Sequence, residues 1–176
     1  MIALAFASSA ASAQQPATSP YNSAEQRQIA SLSAKDLAEL RSGQGWGLAL
    51  PAELNGVPGP THLLELSEDI GLSETQIAEL TEIRDRMRTA AIEAGEAFIA
   101  SERALNDAFV GSAPDEATMA RLVHFAGNAR AALRLAHLSA HLETLPLLTT
   151  EQIASYNQLR GYHKVPDCEE VPVGHD

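Results

Sequence analysis

Cysteine is almost absent. The single Cys168 allows no internal disulfide in the 176-residue chain, and in an oxidising compartment its thiol is either free or paired between chains. Aromatic residues make up only 5%, which leaves the core to aliphatic side chains and alanine and favours thin, closely packed helices. Positive charge is also scarce. Twelve Lys and Arg face 23 Asp and Glu, a formal charge of −11, so the basic face that counterion release from nucleic acid requires is missing. No nucleic-acid partner is expected, whereas a cationic ligand or metal is compatible with this balance. An acidic surface by itself mostly keeps a protein soluble. No later stretch approaches ~18 continuous apolar residues, so no membrane span is expected in the mature chain. Nucleophilic catalysis finds no support either, because there is no G-x-S-x-G, and Gly43, Gly45 and Gly47 follow no strand as a phosphate loop would. The chain is not expected to be an enzyme.

What is present begins with MIALAFASSAASA at 1–13, small and apolar and ending in Ala11-Ser12-Ala13, which fits a signal peptide cleaved before Gln14. Its basic leading region is missing, so either the start is truncated or misplaced or this is a plain apolar arm; export is the expectation. Residues 14–60 read as a flexible leader, a short helix and a loop. The helix spans 23–42, with Ser23 and Gln26 as a capping box, a break near Leu32-Ser33 and Gly43 as its stop. The loop at 43–60 crowds five glycines and three prolines around Trp46 and Leu54 and cannot be one regular element.

Residues 61–162 form the expected helical domain. Thr61 to Ile70 is a short helix closed by Gly71. From Glu74 the apolar residues Ile77, Leu80, Ile83, Met87, Ala91, Ala94, Phe98, Leu105 and Phe109 recur by three, four or seven, one stripe on a helix roughly 50 Å long. Gly111 to Pro114 makes a turn. A second long helix carries Met119, Leu122, Val123, Ala126, Leu133 and Ala140 until Pro146 ends it, and Thr150 to Arg160 is the last helix. The tail at 163–176, with His163, Cys168 and His175, reads as disordered from its Pro and Glu content.

Two phrases are nearly identical, LSETQIA at 72–78 and LTTEQIA at 148–154. Ser73 with Gln76, and Thr149 with Gln152, each have capping-box form, and the pairs Leu72/Ile77 and Leu148/Ile153 each fit a hydrophobic staple. An antiparallel return of the second long helix predicts that the phrases are neighbours, with Ile77 and Ile153 buried at the open end of the hairpin.

A pair of L-[ST]-x-x-Q phrases in an exported, all-helical chain resembles the Spy/CpxP family of periplasmic proteins, the LTxxQ group, which includes metal-responsive sensors and zinc-resistance proteins. The resemblance covers roughly Thr61 to Tyr162; the first copy has Ser for Thr. It implies an all-α fold, a hooked antiparallel hairpin of short, long, long and short helices, dimerising into a shallow cradle. Members hold unfolded clients, dampen a membrane stress kinase or bind a transition metal.

His137 and His141 stand at i and i+4 on the second long helix, a spacing that can chelate one ion. His62 opens the first short helix and shares a face with Glu65 and Asp69. These groups meet at the open end, where His62, Glu65, His137 and His141 would suit Zn, Ni, Co or Cu. The resemblance implies a histidine pair on the first short helix, but Leu66 fills the second place; His141 stands where a methionine can occur, with Glu65 or Glu79 as substitute ligands. A histidine on an apolar stripe is, however, more often a hydrogen-bonded core residue. His124, on the opposite side with Leu135 and Leu142, reads as structural or dimer-facing.

The expectation is a periplasmic metal-binding stress protein, a sensor or sequestering adaptor. The alternatives are an ATP-independent chaperone for unfolded periplasmic clients, and an accessory domain that docks on a membrane stress sensor through the 43–60 loop.

Overall fold

A computed structural model describes Ser19 and residues 21–162. The expected signal peptide and tail lie outside the described residues. Within them the fold is all-α: α1 (Ala34–Ser42), α2 (Leu50–Glu53), α3 (Pro60–Glu65), α4 (Glu74–Ala108), α5 (Glu116–Thr144) and α6 (Thr150–Leu159), with single 3-10 turns at Asn22–Ala24 and Leu145–Leu147. No described helix is long and apolar enough to cross a membrane.

Capping chemistry sets the helix starts. Ser73 and Thr149 each accept from the backbone N–H three residues on, and the Gln76 and Gln152 side chains reach back to the cap N–H at 2.9 and 3.0 Å. A third box is formed by Ser33 and Asp36, which start α1. No α-helix starts at Ser23: the chain makes one 3-10 turn there, and the break expected near Ser33 is instead the true start. The short helix expected over 61–70 is also shorter. It ends at Glu65, after which Ser67 N–H reaches back three residues to Leu64, and turns lead to Gly71.

α4 and α5, joined by residues 109–115, pack along each other more extensively than any other pair. The start of α4 lies against the end of α5, as Arg86 and Glu143 pair at 2.8 Å and Gln76 Nε2 donates to the Leu147 carbonyl at 2.7 Å. Two apolar clusters hold the molecule together. One joins Ile29, Leu32, Leu40 and Leu48 to Ala91, Phe98 and Ile99 of α4 and Ala126 and Leu133 of α5. Ile29, Leu32, Leu40 and Leu48, in the segment expected as a short helix and loop ahead of the helical domain, therefore belong to its core. α1 comes so close to α4 that a Cβ on Gly95 would stand 2.7 Å from the Leu40 carbonyl oxygen.

The second cluster is Leu63, Ile70, Leu80 and Tyr156. Ile77 and Ile153, expected to be buried here, are only half-buried. Each sits at the fourth helical position, in the first turn, where the helix end is still open to solvent. Leu80 and Tyr156, seven residues after their caps, are fully buried instead, each contributing about 1.5–3 kcal/mol through its apolar area.

Candidate metal centre

The last two turns of α5 bring histidine onto the buried side of the helix. His137 and His141 are 3% and 5% exposed and continue the row begun by Ala126 and Leu133. The segment Val57-Pro58-Gly59 is fastened over them. His141 Nδ1 lies 2.8 Å from the Val57 carbonyl oxygen, and the buried Thr144 hydroxyl lies 2.7 Å from the Pro58 carbonyl and 2.8 Å from that of His141. A carbonyl can only accept, so the bonded Nδ1 of neutral His141 carries the proton and Nε2 keeps its lone pair. Glycine is needed at 59, because a Cβ there would stand 2.6 Å from His141 Nε2.

His137 Nε2 is buried and has no hydrogen-bond partner among the described residues. An orphan of this kind in a native fold calls for an explanation, an ion among them. Burial, reinforced by His141, lowers the His137 pKa, while the backbone of Gln44 works weakly the other way. His137 is therefore neutral at pH 7, the state in which imidazole ligates metal. A lone pair on Nε2 with the opposite nitrogen held by a backbone carbonyl, as in His141, is the usual outer-shell arrangement of a metal-binding histidine.

His62 is placed differently. Its Nδ1 lies 2.8 Å from Glu65 Oε2 and its Nε2 3.9 Å from Glu53 Oε1, so both nitrogens face carboxylates. His62, Glu65, His137 and His141 all line one cavity of about 870 Å3, together with Trp46, Glu53 and Arg88. They share its walls without converging: among the described residues no three His, Cys, Asp or Glu side chains form a group that could hold one ion. Asp69, Glu79 and His124 are exposed and outside the cavity lining. Leu66, which fills the place of a second histidine in the implied pair, packs against the second core cluster.

Sequence reasoning missed Glu53. It is 8% exposed, accepts from the Tyr162 hydroxyl at 2.6 Å, lies 3.4 Å from the Tyr156 hydroxyl and 3.9 Å from Arg160. Burial, then the Glu53 charge, pushes the Tyr156 phenol far above its usual pKa, so it stays a donor. The signal was faint: two tyrosines six residues apart, each needing a polar partner if buried. Trp46 was legible only as a loop residue. Its indole N–H donates to Asp36 at 2.9 Å, its ring lies 5.7 Å from Phe98 and beneath Arg130, and its φ of 45° is a strained conformation for a bulky side chain.

A comparison with known proteins gives no match of this chain to a family model, to a curated protein or to a solved structure. The candidate centre therefore rests on its own chemistry.

Proposed function

We propose that this chain is an exported, periplasmic metal-binding stress-response protein of the Spy/CpxP type, a sensor or sequestering adaptor for Zn, Ni, Co or Cu, with no catalytic role. The observation that carries the reading is the buried Nε2 of His137, without a partner among the described residues and one helical turn from His141. His62 and Glu65 line the same cavity and join the pair when their own contact opens. The hooked hairpin implied by the two LTxxQ phrases belongs to this reading, as does a cradle-shaped homodimer. Support for the dimer comes from the outer side of α5, where Ala131, Leu135, Leu138 and Leu142 recur by four and three as in a coiled-coil seam. Leu135 and Leu142 are 64% and 63% exposed.

The test is a thermal melt of residues 14–176 with each ion at neutral pH. At a free concentration a hundredfold above its dissociation constant, the right ion adds about 2.7 kcal/mol to stability. His137→Ala should remove most of that shift, while His124→Ala and His175→Ala leave it nearly intact. No shift with any of the four ions, or equal loss in the His124 and His137 variants, returns these histidines to the core. A second reading, a chaperone holding unfolded clients, is favoured by the exposed Phe109, Val110, Phe125, Leu135 and Leu142. Strong suppression of client aggregation at equimolar protein without metal would favour it over the first. The third reading, the 43–60 loop as a dock for a membrane stress sensor, draws on Leu50 and Leu54, each 51% exposed, beside the buried Leu48 and Ala49.

A further inference from the structure

The cavity measures about 870 Å3, within the range of about 300–1,000 Å3 that organic ligands fill. Its charged side chains balance. Arg84, Arg88 and Arg160 match Glu53, Glu65 and Asp85 in number along the lining, so net charge selects neither an anion nor a cation and the choice falls to hydrogen-bonding groups without partners. One stretch of wall supplies them: residues 43–47, all five of which line the cavity. Leu48 N–H donates to the Gly45 carbonyl at 2.8 Å, closing a turn in which Trp46, at φ 45°, and Gly47, at φ 68°, are both left-handed. Gly, Asn and Asp ordinarily fill such central positions. A tryptophan there is strained, and strain of this kind collects at functional sites. It is held in place because the indole donates to Asp36 and the ring packs on Phe98. In the turn so held, the N–H groups of Gly45, Trp46 and Gly47 have no acceptor among the described residues. Successive backbone donors on one turn make a concavity suited to an anionic group.

Gly45 connects these donors to a ligand. Its φ is not left-handed, and a Cβ built on it would meet nothing within 4 Å, so neither conformation nor packing demands glycine there. Close approach of a ligand to the backbone is the use that remains. We infer that the turn at 45–48 seats the carboxylate of a small apolar acid, either a free acid or the C-terminus of a peptide, on the N–H groups of Gly45, Trp46 and Gly47. The apolar body of the acid lies against Leu50, whose Cδ1 is 3.5 Å from the Cβ position of Gly47. Backbone donors capture peptide C-termini in this way elsewhere, and a charged acceptor strengthens each bond over a neutral carbonyl.

This inference goes beyond the metal-binding reading and does not depend on it, since none of the three donors is a candidate metal ligand. Phenylpropionate and N-acetylglycylphenylalanine are titrated into the isotope-labelled full chain without added metal, each beside its carboxamide. The amide protons of residues 45–47 should move downfield, and each acid should bind at least about tenfold more tightly than its carboxamide. The tighter of the two acids tells a peptide terminus from a free acid, and equal affinities mean that the turn reads the carboxylate alone. Gly45→Ala should weaken both acids at least about tenfold with the melting temperature unchanged or raised. Gly127→Ala, at an equally open position of α5 outside the cavity lining, should leave binding as it is. The inference falls, and the metal reading is untouched, if Gly45→Ala binds like the parent or melts lower, if the carboxamides match the acids, or if the acids move guanidinium N–H signals in place of the turn's amides.

Discussion

At the scale of single residues, the most telling arrangement is the exchange between Gln76 and Gln152. Each oxygen accepts from its own cap. Each Nε2 donates to the other's oxygen, at 2.8 and 3.1 Å, and to the backbone carbonyl two residues before the other's cap, Leu147 O and Gly71 O. The two phrases are related by a local two-fold, and only an amide satisfies both ends. Gln76→Glu should thus cost about 1–3 kcal/mol, since it removes a donor and leaves carbonyls unpaired. The double change with Gln152→Glu should cost more than the sum, read by chemical denaturation at neutral pH, because two carboxylates would then face each other with no donor where the amides meet at 2.8 and 3.1 Å. His137 makes a second prediction. Its pKa is lowered in the folded protein, so between that value and the unfolded value of about 6.5 the unfolded state binds more protons. Its stabilising contribution is complete above pH 6.5 and is lost as pH falls. Metal-free denaturation between pH 8 and pH 5.5 should show stability falling on acidification, and His137→Leu should flatten the slope.

At the scale of elements, capping boxes and apolar periodicity made α4, α5 and α6 legible to within a residue or two, since both are local chemistry written at fixed spacing. α1 was blurred because two Ser-x-x-acid/amide patterns competed, and the one at Ser33 is the one followed by a helix. The contact of α1 with α4 was not legible at all. It depends on Gly95 meeting the Leu40 carbonyl across the fold, a match that no period announces. The candidate site divides in the same way: the i, i+4 histidines were readable from spacing, whereas the Val57 carbonyl and Glu53 reach the site through tertiary packing. In an isolated helix Gly95→Ala would gain about 1 kcal/mol. Here the added methyl would meet backbone at 2.7 Å, so the variant should melt at a lower temperature than the parent, and an equal or higher melting temperature would mean that α1 moves aside freely.

For the whole molecule, the acidic balance and the uneven placement of apolar surface matter together. Repulsion from a charge of −11 opposes association, so two copies would have to meet through a face poor in carboxylates, and the outer row of α5 from Ala131 to Leu142 has none. The double variant Leu135→Asp, Leu142→Asp should sediment as a monomer while its melting curve stays within about 0.5 kcal/mol of the parent's stability, as exposed substitutions do. A dimer that survives both aspartates would place the contact elsewhere.

Trp46 is the chain's one tryptophan, and it lines the cavity. The protein thus carries a built-in fluorophore at the wall of its candidate site, with no second indole to dilute its signal. A paramagnetic ion such as copper or nickel entering the cavity would darken that emission, whereas zinc would leave it lit, so entry of a quenching ion can be read by light alone from an unlabelled sample.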